Sequence, residues 1–442
     1  MKTPKMLLSK DGRSLVLPFV LVTLCFALWG FANDITNPMV KSFSKIFRMS
    51  VTDGALVQLA FYGGYFCMAL PAALFIKKFS YKAGILTGLG LYAFGALMFI
   101  PAAKAGNYYP FLIAYFILTC GLSFLETSSN PFILNLGTSE TATRRLNFAQ
   151  SFNPIGSLLG MWVAINFIQA KMNPLSTAER AVLPDAEFEA VKQADLSVIA
   201  GPYAAIGLVL VAVFILILLL VKVPGKAASS SAAGDRRLGP TLSRLWRNKS
   251  YRNGVLAQFF YVGAQITCWT FIIQYGTRVL MAEGMQEQAA EIYSQTLNIV
   301  AMVCFCTMRF VSTWLMKYFR PAKMLAIFAA ADILLILAVI FIGGRVGLYC
   351  LVGLSIFMSL MFPTIYGLAL GNVGEDKEIG SAGLIMAILG GSVLPPLQAM
   401  IIDLPVVLGI AGVNASFVVP LICFVAVLWY GIKCSAASFF CN

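Results

Sequence analysis

The stretch Val221–Lys249, VKVPGKAASSSAAGDRRLGPTLSRLWRNK, interrupts an otherwise apolar chain near its middle, and its reading decides the fold. Small residues, Ser, Gly and Pro give it the composition of a linker. On its N-terminal side lie six uncharged runs: Ser14–Asn33, Gly54–Ile76, Ala83–Ala103, Ala105–Leu125, Leu146–Ala170 and Leu196–Val221. On its C-terminal side lie Asn253–Thr277, Ile292–Met308, Met324–Gly344, Val346–Gly374, Ile379–Ile402 and Leu404–Ile432, of which Met324–Gly344 carries one acid, Asp332. A helix crosses ~30 Å of hydrocarbon with about 20 apolar residues at ~1.5 Å each, and every run reaches or approaches that length. The runs are too long for barrel strands and lack period-two alternation. The sequence therefore predicts an all-α integral membrane protein of 12 transmembrane helices, ordered as a tail (1–13), a six-helix half (14–222), a linker (223–249), a second six-helix half (250–433) and a tail (434–442).

With 59% hydrophobic and 12% charged residues among 442, a soluble enzyme and a disordered chain are both excluded. Placing the N-terminus in the cytoplasm leaves 22 basic residues in inside segments against 9 in outside loops, so the positive-inside rule puts both termini in the cytoplasm. The net charge of +13 reads as topology and contact with anionic lipid; its scatter over short loops argues against nucleic acid. The first run is too long for a signal peptide and lacks a small-residue cleavage site. Ten cysteines with no CxxC and no histidine read as apolar packing residues, so no metal and no cofactor is expected. Nor is there a nucleophile paired with a base, which argues against a membrane-embedded enzyme.

The two halves look like repeats offset by 231 to 240 residues. Asp34-Ile35-Thr36 in span one aligns with Gln265-Ile266-Thr267 in span seven. KKFSYKAGIL from Lys77 aligns with MKYFRPAKML from Met316, and Pro131 with Pro363. Gly84-x-x-x-Gly88 and Gly156-x-x-x-Gly160 are read as close helix contacts.

Asp34 and Glu126, which directly follow the first and fourth runs, and Asp332 are the acids that fall inside spans, and an ionised carboxylate at bilayer depth costs at least ~2.5–3.5 kcal/mol. With no histidine available, proton coupling would have to use carboxylates, which singles out Glu126 and Asp34; the alternative is that each sits near a helix end or bonds a neighbour. Glu126 and Asn130 share one helical face, with Pro131 following. Asn147, Gln150 and Asn153 repeat the device before Pro154. Such amides both donate to and accept from sugar hydroxyls, and equally serve as interhelical hydrogen bonds. Tyr261, Gln265 and Trp269 form an i, i+4, i+8 stripe, and Phe362 and Tyr366 share a face; rings of this kind stack on sugar C–H faces or simply pack. Arg309 and Asp332 are read as a structural charge pair.

Six plus six helices with a cytoplasmic linker resemble the major facilitator superfamily, in which two halves surround a central cavity. Within it, FYGGYF at Phe61, KKFSYKAGILTGLGLYAFGA at Lys77, FLETSSNPF at Phe124, RLNFAQSFNPIG at Arg145, LAQFFYVGAQITCW at Leu256 and MFPTIYGLALGN at Met361 resemble the fucose:proton symporter family over nearly the whole chain. The resemblance implies uptake of a sugar, L-fucose first, with a proton, by a monomeric multi-pass protein of a bacterial inner membrane. Galactose, glucose or N-acetylglucosamine as the sugar, and sodium as the coupling ion, are the alternatives. It also implies an acid in span one, a glutamate in span four, and a Gln and an Asn in span five, at positions matched here by Asn37, Glu126, Gln150 and Asn153. One departure stands out: the family's Asn-x-x-Asp order in span one is exchanged to Asp34-x-x-Asn37, which displaces the acid by about one turn. A tyrosine of some members is replaced by Phe362.

Overall fold

The computed structural model describes residues 14–36, 39–49, 56–175, 177–221, 238–371, 373–402, 404, 406–407 and 409–437. Twelve helical segments are long and apolar enough to cross a bilayer, as expected. Spans 1–6 are Val16–Thr36, Ala60–Lys78, Tyr81–Ala105, Tyr108–Asn135, Ser139–Lys171 and Asp185–Leu220. Spans 7–12 are Lys249–Ala282, Ile292–Leu315, Pro321–Phe341, Gly344–Gly371, Lys377–Ile402 and Gly412–Ala436.

The chain divides into two compact units. Among the described residues, one takes 14–136 and 152–221; the other takes 137–151 and 238–437. In the first, span 4 packs along spans 2 and 3, span 1 lies on span 5, and span 6 lies on span 3. In the second the same pairings recur: span 10 with 8 and 9, span 7 with 11, span 12 with 9. The internal duplication read from the sequence is thus a duplication of packing.

Its closest contacts are made by glycines. A Cβ on Gly156 would fall on the Ala27 carbonyl, and one on Gly390 on the Phe259 carbonyl. The two pairs are 234 and 232 residues apart along the chain, so spans 1 and 5 and spans 7 and 11 meet backbone to backbone by one device. The threonines of the aligned Ile-Thr pairs also match: Thr36 donates to the Ala32 carbonyl at 2.7 Å, and Thr267 to that of Gly263 at 2.9 Å.

Three segments differ from a reading of apolar runs. Span 5 comprises α-helix Ala142–Gln150, α-helix Asn153–Val163 with Pro154 in its first turn, a π-helical turn Ala164–Ile168 and a 3-10 turn Gln169–Lys171. Proline in a first turn forfeits no intrahelical bond, which suits it to restart a helix. The acidic segment before span 6 joins it as one helix, Asp185–Leu220, after a short helix Thr177–Ala181. The run Leu404–Ile432 is not helical throughout: Val406–Val407 pairs antiparallel with Ile410–Ala411 around Gly409, whose φ is 82°, and helix resumes at Gly412. Arg180, in the connection between spans 5 and 6, forms a buried ion pair at 2.6 Å with Asp195 of span 6 and also donates to the Asn173 carbonyl at 3.0 Å. The Arg48 guanidinium lies 3.6 Å from the centre of the Phe188 ring.

Candidate functional site

In the first unit, the polar patch of span 4 is sealed. Ser123, Glu126, Thr127, Ser128 and Asn130 have no solvent exposure. Glycines of span 3 allow this approach: a Cβ on Gly88 would stand 2.9 Å from the Gly121 carbonyl, and Gly84 faces the Ser128 hydroxyl. Ser128 returns its proton to the Phe124 carbonyl at 2.5 Å, while Ser123 reaches across to the Tyr65 carbonyl at 3.1 Å and holds span 2 against span 4.

The Tyr65 side chain is a polar neighbour of the Glu126 carboxyl. Neither Glu126 oxygen nor the Tyr65 hydroxyl meets hydrogen-bond geometry among the described residues. Asp34, half-buried on span 1, lies within electrostatic reach of Tyr62. Both tyrosines of FYGGYF thus lie on the side of span 2 that serves the two acids, Tyr65 next to Glu126 and Tyr62 within electrostatic reach of Asp34. In the sequence FYGGYF stands out as a family signature, and its i, i+3 tyrosines, Tyr62 and Tyr65, are the signal for these neighbours. Asn153 donates to the Phe26 carbonyl at 3.2 Å and is half-buried. Asn37 lies outside the described residues.

In the second unit, Trp269 is fixed on two sides. Its indole N–H donates to the Ser355 hydroxyl at 3.1 Å, and its ring meets Phe305 edge-on at 5.0 Å. Gln265, one turn away, is half-buried. Tyr261 is wholly enclosed, and its hydroxyl donates to the Met358 carbonyl at 2.9 Å. Phe362 and Tyr366 stack with centroids 6.3 Å apart, and the Tyr366 hydroxyl bonds that of Ser381. Both tyrosine hydroxyls thus serve the protein's own frame.

Arg309 and Asp332 do not form the expected pair. The Arg309 guanidinium donates to the Ser359 carbonyl at 2.5 Å and the Gln150 carbonyl at 3.1 Å, and stands 4.6 Å over the Phe305 ring. Asp332 is fully buried, and neither of its oxygens has a hydrogen-bond partner among the described residues. Tyr261 lies near both charges. Carbonyls serve the guanidinium because its five donors point in several directions, and Nε and Nη1 each reach a separate main-chain acceptor. Arg309 thereby ties Gln150 to the ring that braces Trp269, a link for which the sequence carried no signal. Asn147 is also structural in part, donating to Thr143 at 3.0 Å and Thr364 at 3.2 Å.

Residues 22–395 match the family model described as Major Facilitator Superfamily. The chain is 51% identical over 428 residues to the L-fucose-proton symporter of Haemophilus influenzae, covering 95% of this chain and 97% of that protein. It is 36% identical to the L-fucose-proton symporter of Escherichia coli, covering 94% and 93%. Among solved structures, a Major Facilitator Superfamily transporter, FucP, in the outward conformation superposes with a TM-score of 0.85 at 35% identity, covering 95% of this chain and 99% of the other.

Proposed function

We propose that this chain, which belongs to the major facilitator superfamily, takes up L-fucose together with a proton by alternating access. The observation that carries the coupling is Glu126: a carboxyl with no solvent exposure, in a membrane span, with no hydrogen bond among the described residues and a tyrosine beside it. Holding it ionised there costs several kcal/mol. A proton taken up at Glu126 therefore lowers the cost of closing the site around sugar, and its loss opposes closure of an empty site. Asp34, half-buried on span 1 and within electrostatic reach of Tyr62, is the second proton-handling acid. The gradient supplies ~2.3 kcal/mol per charge per 100 mV and ~1.4 kcal/mol per pH unit, enough for tens-fold accumulation.

The sugar-contacting groups proposed on the first unit are Asp34, Asn37, Glu126, Asn130 and Asn153. Those on the second are Gln150, Gln265, Trp269 and Phe362, with Tyr261 and Tyr366 positioning them. The names of the Haemophilus influenzae and Escherichia coli relatives support L-fucose over other hexoses and protons over sodium. The relatives and the basic-residue distribution support a bacterial inner membrane and cytoplasmic termini; the protein acts as a monomer in contact with membrane lipid. Counterflow in proteoliposomes tests the assignment. Preloaded L-fucose should draw labelled L-fucose inward at least tenfold faster than galactose, glucose or N-acetylglucosamine, equally with and without sodium. Preference for another sugar, or a sodium requirement, would overturn it.

A further inference from the structure

A cavity lies wholly within the first unit, lined by none of the residues assigned to sugar. It measures about 810 Å³ and is walled by span 1 at Leu24 and Phe31, span 5 at Leu159 and Phe167, and span 6 at Gly201 and Ala205. That volume is of the size that holds a small organic ligand. Its chemistry does not suit a sugar. Side chains along its length are apolar, and the polar ones, Ser197 and Lys171, lie toward one end. A sugar presents hydroxyls all round and needs matching donors and acceptors.

The shape has a local origin. Span 5 loosens into its π-helical turn, Ala164–Ile168, beside the cavity, while span 6 contributes Gly201, Pro202 and Ala205, whose side chains are small. A Cβ built on Gly201 meets nothing within 4 Å, so this glycine faces open space. From Ile155 to Lys171 the wall extends about 24 Å at ~1.5 Å per residue, longer than one leaflet's share of a ~30 Å hydrocarbon core. At the far end the Lys171 ammonium, 5.2 Å from the Phe167 ring centre, makes no ion pair among the described residues.

We infer that this groove is a binding site for one anionic phospholipid of the surrounding bilayer, its acyl chain lying between spans 1, 5 and 6 and its phosphate beside Lys171. An apolar trough with a single cation at one end is complementary to an apolar chain with an anion at one end.

Native mass spectrometry of the full-length protein tests this, with equal amounts of dipalmitoyl phosphatidylglycerol and dipalmitoyl phosphatidylcholine added to the detergent solution. The protein should retain one phosphatidylglycerol per chain, at least threefold over phosphatidylcholine. Lys171→Gln should bring that ratio to about one. Gly201→Trp and Ala205→Trp, each checked for an unchanged melting temperature, should lose the retained lipid. Leu219→Trp, on the same helix at an exposed position outside the groove, should keep it. Equal retention of both lipids by the unmodified protein, or undiminished phosphatidylglycerol in a well-folded Gly201→Trp or Ala205→Trp protein, would overturn the proposal. Sugar counterflow is read separately, so failure here is distinguishable from failure of the transport assignment.

Discussion

Trp269, proposed above as a sugar-contacting ring, offers a quantitative test of how the second unit holds that ring. Its indole N–H to Ser355 hydroxyl bond, 3.1 Å, and its edge-on contact with Phe305, 5.0 Å, fix the ring plane. A neutral hydrogen bond contributes about 0.5–1.5 kcal/mol net, and an aromatic pair about as much again beyond its buried area. Ser355→Ala removes the acceptor without touching sugar, so fucose affinity should fall only through loss of ring orientation, by about 1 kcal/mol or roughly fivefold. Trp269→Phe removes the same bond and shrinks the stacking surface, so it should cost more, about 2 kcal/mol. Because both variants break one bond, the double variant should match Trp269→Phe alone, leaving a coupling of about 1 kcal/mol. Isothermal titration of L-fucose into the purified proteins measures all four corners of the cycle. Additive effects, with coupling below ~0.3 kcal/mol, would refute the claim that Ser355 acts by holding Trp269.

Other consequences are more direct. At fixed internal pH, raising external pH by one unit removes ~1.4 kcal/mol of driving force per proton, so steady-state fucose accumulation should fall about tenfold for one proton per sugar; pH-independent accumulation would contradict coupling. Asp195→Ala should lower stability by about 3–5 kcal/mol, because it strands the buried Arg180 guanidinium without its carboxylate; a melting curve of the purified protein would reveal an unchanged midpoint if the pair were idle. Gly156→Ala should destabilise by at least about 1–3 kcal/mol, because its methyl would overlap the Ala27 carbonyl, whereas Gly63→Ala, with nothing within 4 Å, should be tolerated. Equal melting points for these two variants would show that spans 1 and 5 yield more easily than their contact implies.

The spans were legible because long uncharged runs have one stable solution in a bilayer, and the duplication because aligned motifs occupy equivalent helices. Breaks inside an apolar run were not. No charge falls between Leu146 and Ala170, so counting uncharged runs places no break at Ser151 and Phe152; Pro154 is the local signal, since proline suits the first turn of a helix better than its interior. Likewise hydropathy does not mark the hairpin before span 12, where Pro405 and Gly409 are the local signals, and nothing between Asp185 and Leu196 breaks a helix, so the boundary set by charge moved. At the site, Glu126 and Asp34 stood out by the cost of burying charge. Their tyrosine neighbours on span 2 did not, since which ring faces which acid is decided by packing. Arg309 was assigned Asp332 because opposite charges are the readable partners; its actual acceptors are main-chain carbonyls of Gln150 and Ser359, which every residue possesses and no sequence distinguishes.

The most direct test is the pH outside weakly buffered cells expressing the protein when L-fucose is added, with Glu126→Gln and Asp34→Asn alongside. The external medium should become alkaline with the unmodified protein and stay unchanged with Glu126→Gln, although that variant still reaches the membrane and binds fucose. Alkalinisation that persists in Glu126→Gln would remove this carboxyl from the coupling path, and no alkalinisation from the unmodified protein would contradict proton symport itself.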